Sequence, residues 1–344
     1  MPLSAKSAKL GLLGLSAASL LLWLAVGGIS EGVSGASVVA DVVPTVPTAP
    51  TDDDYVGNDT CIACHEPQGK GFEGTKHSKL HTLEAWKNKV VGCESCHGPG
   101  RLHVEGNGDK LKIVSFKQMD PKASAETCLK CHAGKEAHNN FRRGEHWRNN
   151  VSCNTCHSAH GPEPPSFKLG STTFVGNVSA QNPGQATARM LKANEPQLCM
   201  ACHNETKAQF SKPFHHKVLE GTMNCSDCHN PHGGFEQKQT RSAVGADAAC
   251  IKCHANKQGP FVFEHAPLKL EGCTTCHTPH GSSNPKLLKR AQVRQLCFEC
   301  HTGISDELSP GVPSRHNQAQ MREQQCTVCH SAIHGSNSNR LFFR

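Results

Sequence analysis

The sequence predicts a fold of mostly short α-helices and coil, with little or no β-sheet. Three observations lead to this prediction. The chain has 344 residues, yet only 5% are aromatic and the mean hydropathy is -0.47, which is poor material for an apolar core of that size. Its 31 glycines and 20 prolines interrupt regular structure rather than extend it. The pentapeptide Cys-x-x-Cys-His occurs ten times, with starts 23 to 46 residues apart, and uses all 20 cysteines.

This pentapeptide is the attachment motif of c-type haem, in which two thiols form thioethers to the porphyrin and the histidine ligates the iron. Ten motifs predict ten covalently bound haem c groups. The porphyrins would supply the buried apolar surface that the side chains lack, with the polypeptide wrapped around an elongated haem chain. The predicted thioether cysteines are Cys61, Cys64, Cys93, Cys96, Cys128, Cys131, Cys153, Cys156, Cys199, Cys202, Cys225, Cys228, Cys250, Cys253, Cys273, Cys276, Cys297, Cys300, Cys326 and Cys329. The predicted proximal iron ligands are His65, His97, His132, His157, His203, His229, His254, His277, His301 and His330.

Other uses of paired cysteines fit this pattern poorly. A zinc-ribbon array does not need a histidine directly after every second cysteine. A disulfide scaffold leaves the ten motif histidines unexplained, and a redox-active dithiol protein would carry one or two such motifs rather than ten.

The thirteen histidines outside the motifs follow a periodic arrangement. The chain divides into five units, each with two motifs, one histidine shortly before the second motif and one shortly after it. Two further histidines per unit supply one second axial ligand for each iron. The preferred set is His77, His103, His146, His160, His216, His232, His265, His280, His316 and His334.

His81, His138 and His215 are left over and are interpreted as surface residues or contacts of haem propionates. The sequence leaves open the choice between His77 and His81, the choice between His215 and His216, and the pairing of each second ligand with a motif. With only six methionines in the chain, bis-histidine ligation is expected, and it implies low reduction potentials.

The N-terminal region predicts export. Residues 1–36 have the form of a signal peptide, with Lys6 and Lys9 ahead of an apolar run at 10–26; an uncleaved membrane anchor is the alternative. Residues 37–56 form a Pro/Thr-rich tether, and residues 57–344 form the decahaem domain. Haem attachment through thioethers takes place outside the bacterial cytoplasm, so the expected location is the periplasm.

Charge excludes nucleic acid as a partner. The formal net charge is +7, but about twenty haem propionates would outweigh it, and no basic stripe runs along the sequence. The longest stretch without a motif, residues 158–198, is expected to be an elaborated loop or a contact surface.

The motifs favour an electron carrier over an enzyme. An iron with two protein ligands has no open position for a substrate. A multihaem reductase needs such a position, often signalled by a lysine variant of the motif, and none of the ten is one. A hydroxylamine-oxidising type needs a tyrosine cross-linked to a haem, and the only tyrosine, Tyr55, precedes every motif.

Several stretches resemble one family closely: NCSDCHNPHGG at 224–234, CIKCHANKQGPFVFEHAP at 250–267, CTTCHTPHGS at 273–282, QLCFECH at 295–301 and the ending HSAIHGSNSNRLFFR. From about residue 57 onward the chain is similar to the MtrA/DmsE/PioA-type decahaem cytochromes. The resemblance implies an elongated haem chain of two similar pentahaem halves. It also implies a periplasmic conduit, associated with the outer membrane, that passes electrons to or from the cell exterior.

The resemblance further implies partners. These are a porin-like outer-membrane β-barrel that encloses the cytochrome, periplasmic or inner-membrane cytochromes, and an extracellular multihaem cytochrome. Size gives independent support, because ten haems placed edge to edge exceed the roughly 30 Å hydrocarbon layer, and a polar chain crosses it only inside a barrel. The alternatives are a freely diffusing periplasmic shuttle and a multihaem reductase.

Overall fold

The structure is a computed structural model. It describes residues 49–87, 89, 91–135, 138–161, 166–169, 172–175, 189–236, 239–241, 247–301, 307–309, 312–313, 316 and 325–343. Residues Pro50–Arg344 form one compact unit. The predicted signal segment and residues 37–48 of the predicted tether lie outside the described residues.

Thirteen short α-helices are described, most of them one or two turns long. In chain order, α1 to α13 are Asn58–Ile62, Glu66–Glu73, Glu94–His97, Arg101–Glu105, Pro121–His132, Glu145–Arg148, Cys153–Cys156, Glu195–Met200, Asn204–Phe210, Cys225–Cys228, Ala248–Ile251, Ala266–Leu270 and Val293–Phe298. Single 3-10 turns lie at Asp52–Asp54, His77–Thr82, Glu84–Trp86, Lys110–Lys112, Phe141–Arg143, Ala255–Lys257, Cys273–Thr275, Pro285–Leu287 and Cys326–Val328.

Helix α5 shows how the sequence sets these lengths. The Asp120 carboxylate caps its N-terminus by accepting from the amides of Lys122 at 2.9 Å and Ala123 at 3.0 Å, and Pro121 occupies the first turn, where its missing N–H costs nothing. The helix ends with the haem motif at His132. The other motif helices are shorter, at four to six residues.

The described β-structure is limited to two small antiparallel hairpins. Strand β1, Ser166–Leu169, pairs with β2, Thr172–Val175, and β3, Glu307–Ser309, pairs with β4, Val312–Pro313. The first hairpin lies within the long stretch without a motif. Short helices, turns and coil with two hairpins confirm the predicted fold class.

Within the described ranges, side chains form three small apolar clusters, each of three buried residues. One contains Ala125, Leu129 and Phe141, with Trp147 and Cys153 packed against it. The other two have the same size, and motif cysteines also border them. Three-residue clusters cannot stabilise a unit of this length by side-chain burial alone, as the low aromatic content predicts.

The buried carboxylate of Glu94 holds the entry to the folded unit. It lies inside the second motif and accepts three backbone amides, from Val56 at 3.0 Å, Gly57 at 2.9 Å and Gly100 at 2.8 Å. A buried carboxylate is tolerated because its acceptor positions are filled. These bonds fix the chain just ahead of the first motif to the second motif.

None of the helices in the described ranges combines the length and the apolar character that crossing a bilayer requires.

Candidate haem sites

The local backbone of each motif places its three functional side chains together. In the third motif, Cys128 to His132 form the last turn of α5. In the other nine motifs the histidine amide donates to the carbonyl of the first cysteine over 2.9 to 3.1 Å, which closes one α-helical turn. Residues three and four apart in such a turn share one face, so both cysteines and the histidine project to the same side. Two thioethers and one axial ligand to a single porphyrin require this arrangement.

Motifs pair within each unit through their first cysteines. Cys61 and Cys93 lie within hydrogen-bonding reach, and burial followed by the charge of Cys93 raises the pKa of the Cys61 thiol to about 11. The other four units repeat the contact. Their pairs are Cys128 with Cys153, Cys199 with Cys225, Cys250 with Cys273, and Cys297 with Cys326.

The second cysteines of successive units lie near one another. Burial raises the pKa of Cys156, and the charge of Cys202 in the following unit adds to the rise. The same electrostatic influence relates Cys96 to Cys131, Cys228 to Cys253, and Cys276 to Cys300. First-cysteine pairs within units and second-cysteine neighbours between units alternate, so neighbours in sequence are neighbours in space from the first motif to the tenth.

Every motif histidine faces a histidine from outside the motifs with ring centres 5.9 to 6.4 Å apart, and His132 has a second such neighbour, His138, at 5.5 Å. The pairs, motif histidine first, are His65 with His103, His97 with His160, His132 with His77, His157 with His232, His203 with His146, His229 with His280, His254 with His216, His277 with His334, His301 with His265, and His330 with His316. All ten preferred second ligands occur in this set, once each.

These distances fit a metal ion held between two imidazoles. A metal–nitrogen bond to imidazole is about 2.0–2.1 Å and the ring nitrogen lies ~1.1 Å from the ring centre, which puts the two centres roughly 6.4 Å apart. Direct stacking of the rings would bring them closer. The donor set, two thiols and two imidazoles per site, is that of bis-histidine haem c.

Pairing in the interior of the chain runs between units. The histidine before the second motif faces the first motif of the next unit, as His146 faces His203. The histidine after the second motif faces the second motif of the preceding unit, as His232 faces His157. Each internal unit therefore supplies one histidine to a site of the next unit and one to a site of the preceding unit.

The terminal units pair internally where no neighbour exists. His103 of the first unit faces His65 of the same unit, and His316 of the fifth faces His330. Spacing along the sequence could not reveal this arrangement, because the partners belong to different repeats.

Burial keeps several of the second histidines in their neutral form. It lowers the pKa of His232 to about 3, with further lowering from the nearby His138 and His157 rings. Burial also lowers the pKa of His334 to about 4. Neutral imidazole is the form that binds metal, so no proton has to leave before ligation near pH 7.

In each unit a short segment returns to the second motif, and in four units it supplies a described carbonyl acceptor for that motif's histidine. We call these stretches return segments, and their described residues are 114–117, 189–192, 239–241, 286–289 and 341–343. The Nδ1–H groups of His97, His157, His277 and His330 donate to the carbonyls of Val114 at 2.8 Å, Arg189 at 2.9 Å, Lys286 at 2.8 Å and Leu341 at 2.5 Å. A bond at Nδ1 fixes the tautomer and leaves Nε2 for a metal.

The backbone of four return segments adopts the left-handed conformation at a residue other than glycine. These residues are Met190, Gln239, Leu287 and Phe342, with φ between 53° and 59°. Their carbonyls accept from amides just beyond the motif histidine, over 2.8 to 2.9 Å, in Ser158, Asn230, Thr278 and Ala332 respectively. The left-handed conformation costs about 1–2 kcal/mol per residue, and these contacts hold it in place.

Sequence reasoning missed the return segments, although they carry a faint signal. Their sequences are VSFK, RMLK, KQTR, KLLK and LFFR, and the one feature common to all five is a final Lys or Arg. A single cation at a constant place in five otherwise different tetrapeptides becomes recognisable only after the structure aligns them.

Two adjacent histidines have different surroundings. Both nitrogens of His215 are occupied, Nδ1 by the Lys212 carbonyl at 2.5 Å and Nε2 by the Glu220 carboxylate at 2.9 Å. His216 donates from Nδ1 to the Pro279 carbonyl at 2.7 Å and faces His254. The structure thus places His216 against a motif histidine.

The first unit offers the same choice between two histidines. His77 faces the ring of His132 at 6.0 Å, whereas the exposed His81 bonds from Nδ1 to the Ser78 carbonyl at 2.8 Å.

The third leftover histidine, His138, lies between two pairs. Its ring is 5.5 Å from that of His132 and 4.4 Å from that of His232, and its Nδ1 is buried without a hydrogen-bond partner.

Side chains of the first eight motifs line one continuous cavity of about 3910 Å³, most of whose surface is apolar. A pocket for a single drug-sized ligand has roughly 300–1,000 Å³. The cavity has room for several large apolar cofactors side by side. The return-segment cations Lys117, Lys192, Arg241 and Lys289 also line it.

Two family models match parts of the chain. The model of the doubled CXXCH motif matches residues 215–259 and 265–306, and that of cytochrome c554 and c-prime matches residues 104–158. Each doubled-motif match joins the second motif of one of our units to the first motif of the next. In the structure a motif has neighbours both within its unit and in the adjacent unit. The two ways of dividing the chain therefore differ only in which motif begins each pair.

The chain is 31% identical over 292 residues to the multiheme cytochrome MtrA of Shewanella baltica (strain OS185), covering 82% of this chain and 79% of that protein. The chain belongs to the MtrA-type multihaem c-type cytochromes. It is also 24% identical over 201 residues to the C-type polyheme cytochrome OmcB of Geobacter sulfurreducens, covering 55% of this chain and 22% of OmcB.

Among solved structures, an undecaheme cytochrome from the S-layer of Carboxydothermus ferrireducens covers 74% of this chain and 33% of its own, with 21% identity and a TM-score of 0.14. That superposition is too poor to inform the fold. As an MtrA-type multihaem cytochrome, the chain binds haem c and takes part in electron transport.

Proposed function

We propose that the chain binds ten haem c groups, each held by the two cysteines of one motif and by the histidine pair assigned to it above. The observation that carries this proposal is that each of the ten motif histidines faces a different non-motif histidine at metal-bridging distance. Bound haem supplies a one-electron Fe(III)/Fe(II) couple. All ten motifs have a partner histidine, which supports an electron carrier without a substrate position of its own.

The residues of the chain position and insulate these sites. Cysteines fix each porphyrin at two points, and the return segments hold motif histidines through Nδ1. Buried imidazoles such as His232 exclude water and need no deprotonation. Two neutral nitrogen ligands without methionine favour the ferric state and low potentials.

The alternation of cysteine contacts supports transfer along the whole chain. Because the motifs are neighbours in the order of the sequence, the first and tenth sites are the two ends of the series. Ten sites of similar ligation give no strong internal preference for direction. We expect conduction either way, with the physiological direction set by the partners.

We further propose that this MtrA-type cytochrome works in the periplasm at the outer membrane, seated in a porin-like β-barrel partner. There it would pass electrons between periplasmic or inner-membrane cytochromes and the cell exterior, where an extracellular multihaem cytochrome or a mineral receives or supplies them. Support comes from the family resemblance and from the length of a ten-haem series relative to the bilayer.

Reconstitution in liposomes tests the conduit. The cytochrome and its proposed barrel partner are inserted together, with a reduced dye sealed inside and an insoluble oxidant outside. We expect dye oxidation only when both proteins are present. Equal rates without the barrel, or no oxidation with it, would instead support a freely diffusing periplasmic shuttle.

A further inference from the structure

The last five described residues fold back onto the final motif. Asn339 starts this turn: its side-chain oxygen accepts from the Leu341 amide at 2.8 Å, and its carbonyl accepts from the Phe342 amide at 3.0 Å. The Leu341 carbonyl accepts Nδ1–H of His330, and the Phe342 carbonyl accepts the amide of Ala332 at 2.9 Å. The C-terminal tail is the return segment of the fifth unit.

Its two phenylalanines contact histidines of two different sites. The Phe343 ring centre lies 4.8 Å from that of His330, in the tenth pair. The Phe342 ring centre lies 5.4 Å from that of His265, which faces His301 in the ninth pair. Adjacent residues therefore cover one imidazole each in neighbouring sites.

The backbone explains how adjacent residues reach two sites. Phe342 has φ of 59°, in the left-handed region that side chains rarely adopt. Strain of this kind persists where the surrounding contacts determine it. Here the hydrogen bonds of the Phe342 amide and carbonyl, together with the two ring contacts, hold the residue in this conformation.

The backbone bonds of Leu341 and Phe342 and the ring contacts of Phe342 and Phe343 hold this return segment against the ninth and tenth sites. Phe343 remains 36% exposed, so it forms the boundary between the tenth site and solvent.

We propose that Phe342 and Phe343 are positioning residues for the ninth and tenth haem sites. Phe343 orients His330 and keeps water from it, and Phe342 does the same for His265. The proposal rests on the haem ligation proposed above. Solvent exposure and hydrogen bonding around an axial histidine set the potential of its iron, so the tail sets the potentials at one end of the series.

The test uses His316→Met as a marker. A methionine ligand raises the potential of a haem, so this change in the full-length cytochrome should separate the tenth component from the other nine in a potentiometric titration. Adding Phe343→Ala should then move the separated component to lower potential, because water stabilises the ferric ion. Phe343→Leu, which keeps an apolar cover, should restore most of its position. Adding Phe342→Ala should move one of the other nine instead.

The matched control is Phe235→Ala, since Phe235 is 81% exposed; it should leave all ten components in place. Intact mass confirms a full haem complement in each variant. If His316→Met separates no component, the ligand assignment fails. If His316→Met does separate one component, but neither Phe343→Ala nor Phe342→Ala shifts the potential of its own haem, the positioning role alone is overturned. The same holds if either change shifts many components together.

Discussion

His215 and His216 are adjacent, yet only His216 lies where a metal ligand must lie. The Lys212 carbonyl and the Glu220 carboxylate occupy both nitrogens of His215, and the hydrogen bond to Glu220 raises its pKa. A protonated imidazole has no lone pair for iron. The chemistry of the neighbouring groups thus selects the ligand where residue type could not.

This selection predicts the outcome of two neighbouring substitutions. His216→Met should raise the potential of one haem, the one attached at Cys250 and Cys253, because a thioether ligand favours ferrous iron. His215→Ala, the matched control, should leave all ten components unchanged. A potentiometric titration followed by visible absorption measures both. A shift caused by His215→Ala, or none caused by His216→Met, would contradict the pairing.

At the scale of elements, a recurring polar contact joins the two motifs of a unit. The Asp247 carboxylate, ahead of the seventh motif, accepts the amide of Cys273 in the eighth at 2.9 and 3.0 Å. The Asn58 side chain, ahead of the first motif, accepts the amide of Cys93 at 2.9 Å. Each bond brings two first cysteines together.

Glycine is required beside this contact. Gly272 precedes Cys273 with φ of 82°, and a Cβ there would lie 2.6 Å from an Asp247 oxygen. Gly272→Ala should therefore lower the free energy of unfolding by roughly 2–3 kcal/mol, through backbone strain plus a weakened hydrogen bond. Gly221 is the matched control, because its φ is 76° and nothing lies within 4 Å of a Cβ there.

Gly221→Ala should lower the free energy of unfolding only through backbone strain, by about 1–2 kcal/mol. Denaturant unfolding of the two haem-loaded variants measures the difference. Equal destabilisation by both would mean that the Asp247 contact contributes nothing.

The residues that covalent chemistry fixes were predictable from the sequence, and those fixed by distant contacts were not. The motifs and the short helices around them follow from local spacing. The repeat predicts His146 and His232 as ligands, but the motif histidines that they face lie one unit away. The return segments could not be predicted because they act through backbone carbonyls, which any residue supplies. Their side chains are therefore free to differ, as VSFK and KQTR do.

At the scale of the whole molecule, the ten proposed sites predict one stoichiometry and one spin state. Intact mass of the purified chain should exceed that of the processed polypeptide by ten haem masses. Electron paramagnetic resonance of the ferric protein should show low-spin iron throughout, since two imidazoles give a strong ligand field. A deficit of two haems would contradict the count of ten, and a substantial high-spin signal would favour the multihaem reductase.

The exchange of histidines between units also bears on how the cytochrome matures. When a chain is exported from its N-terminus, His157 emerges for haem attachment well before its partner His232. His203, in contrast, emerges after its partner His146. Half-ligated iron should therefore exist transiently at the second motif of each of the first four units. Those intermediates would be open to water and oxidants until the next repeat arrives, which makes the pace of secretion relative to haem supply a determinant of yield.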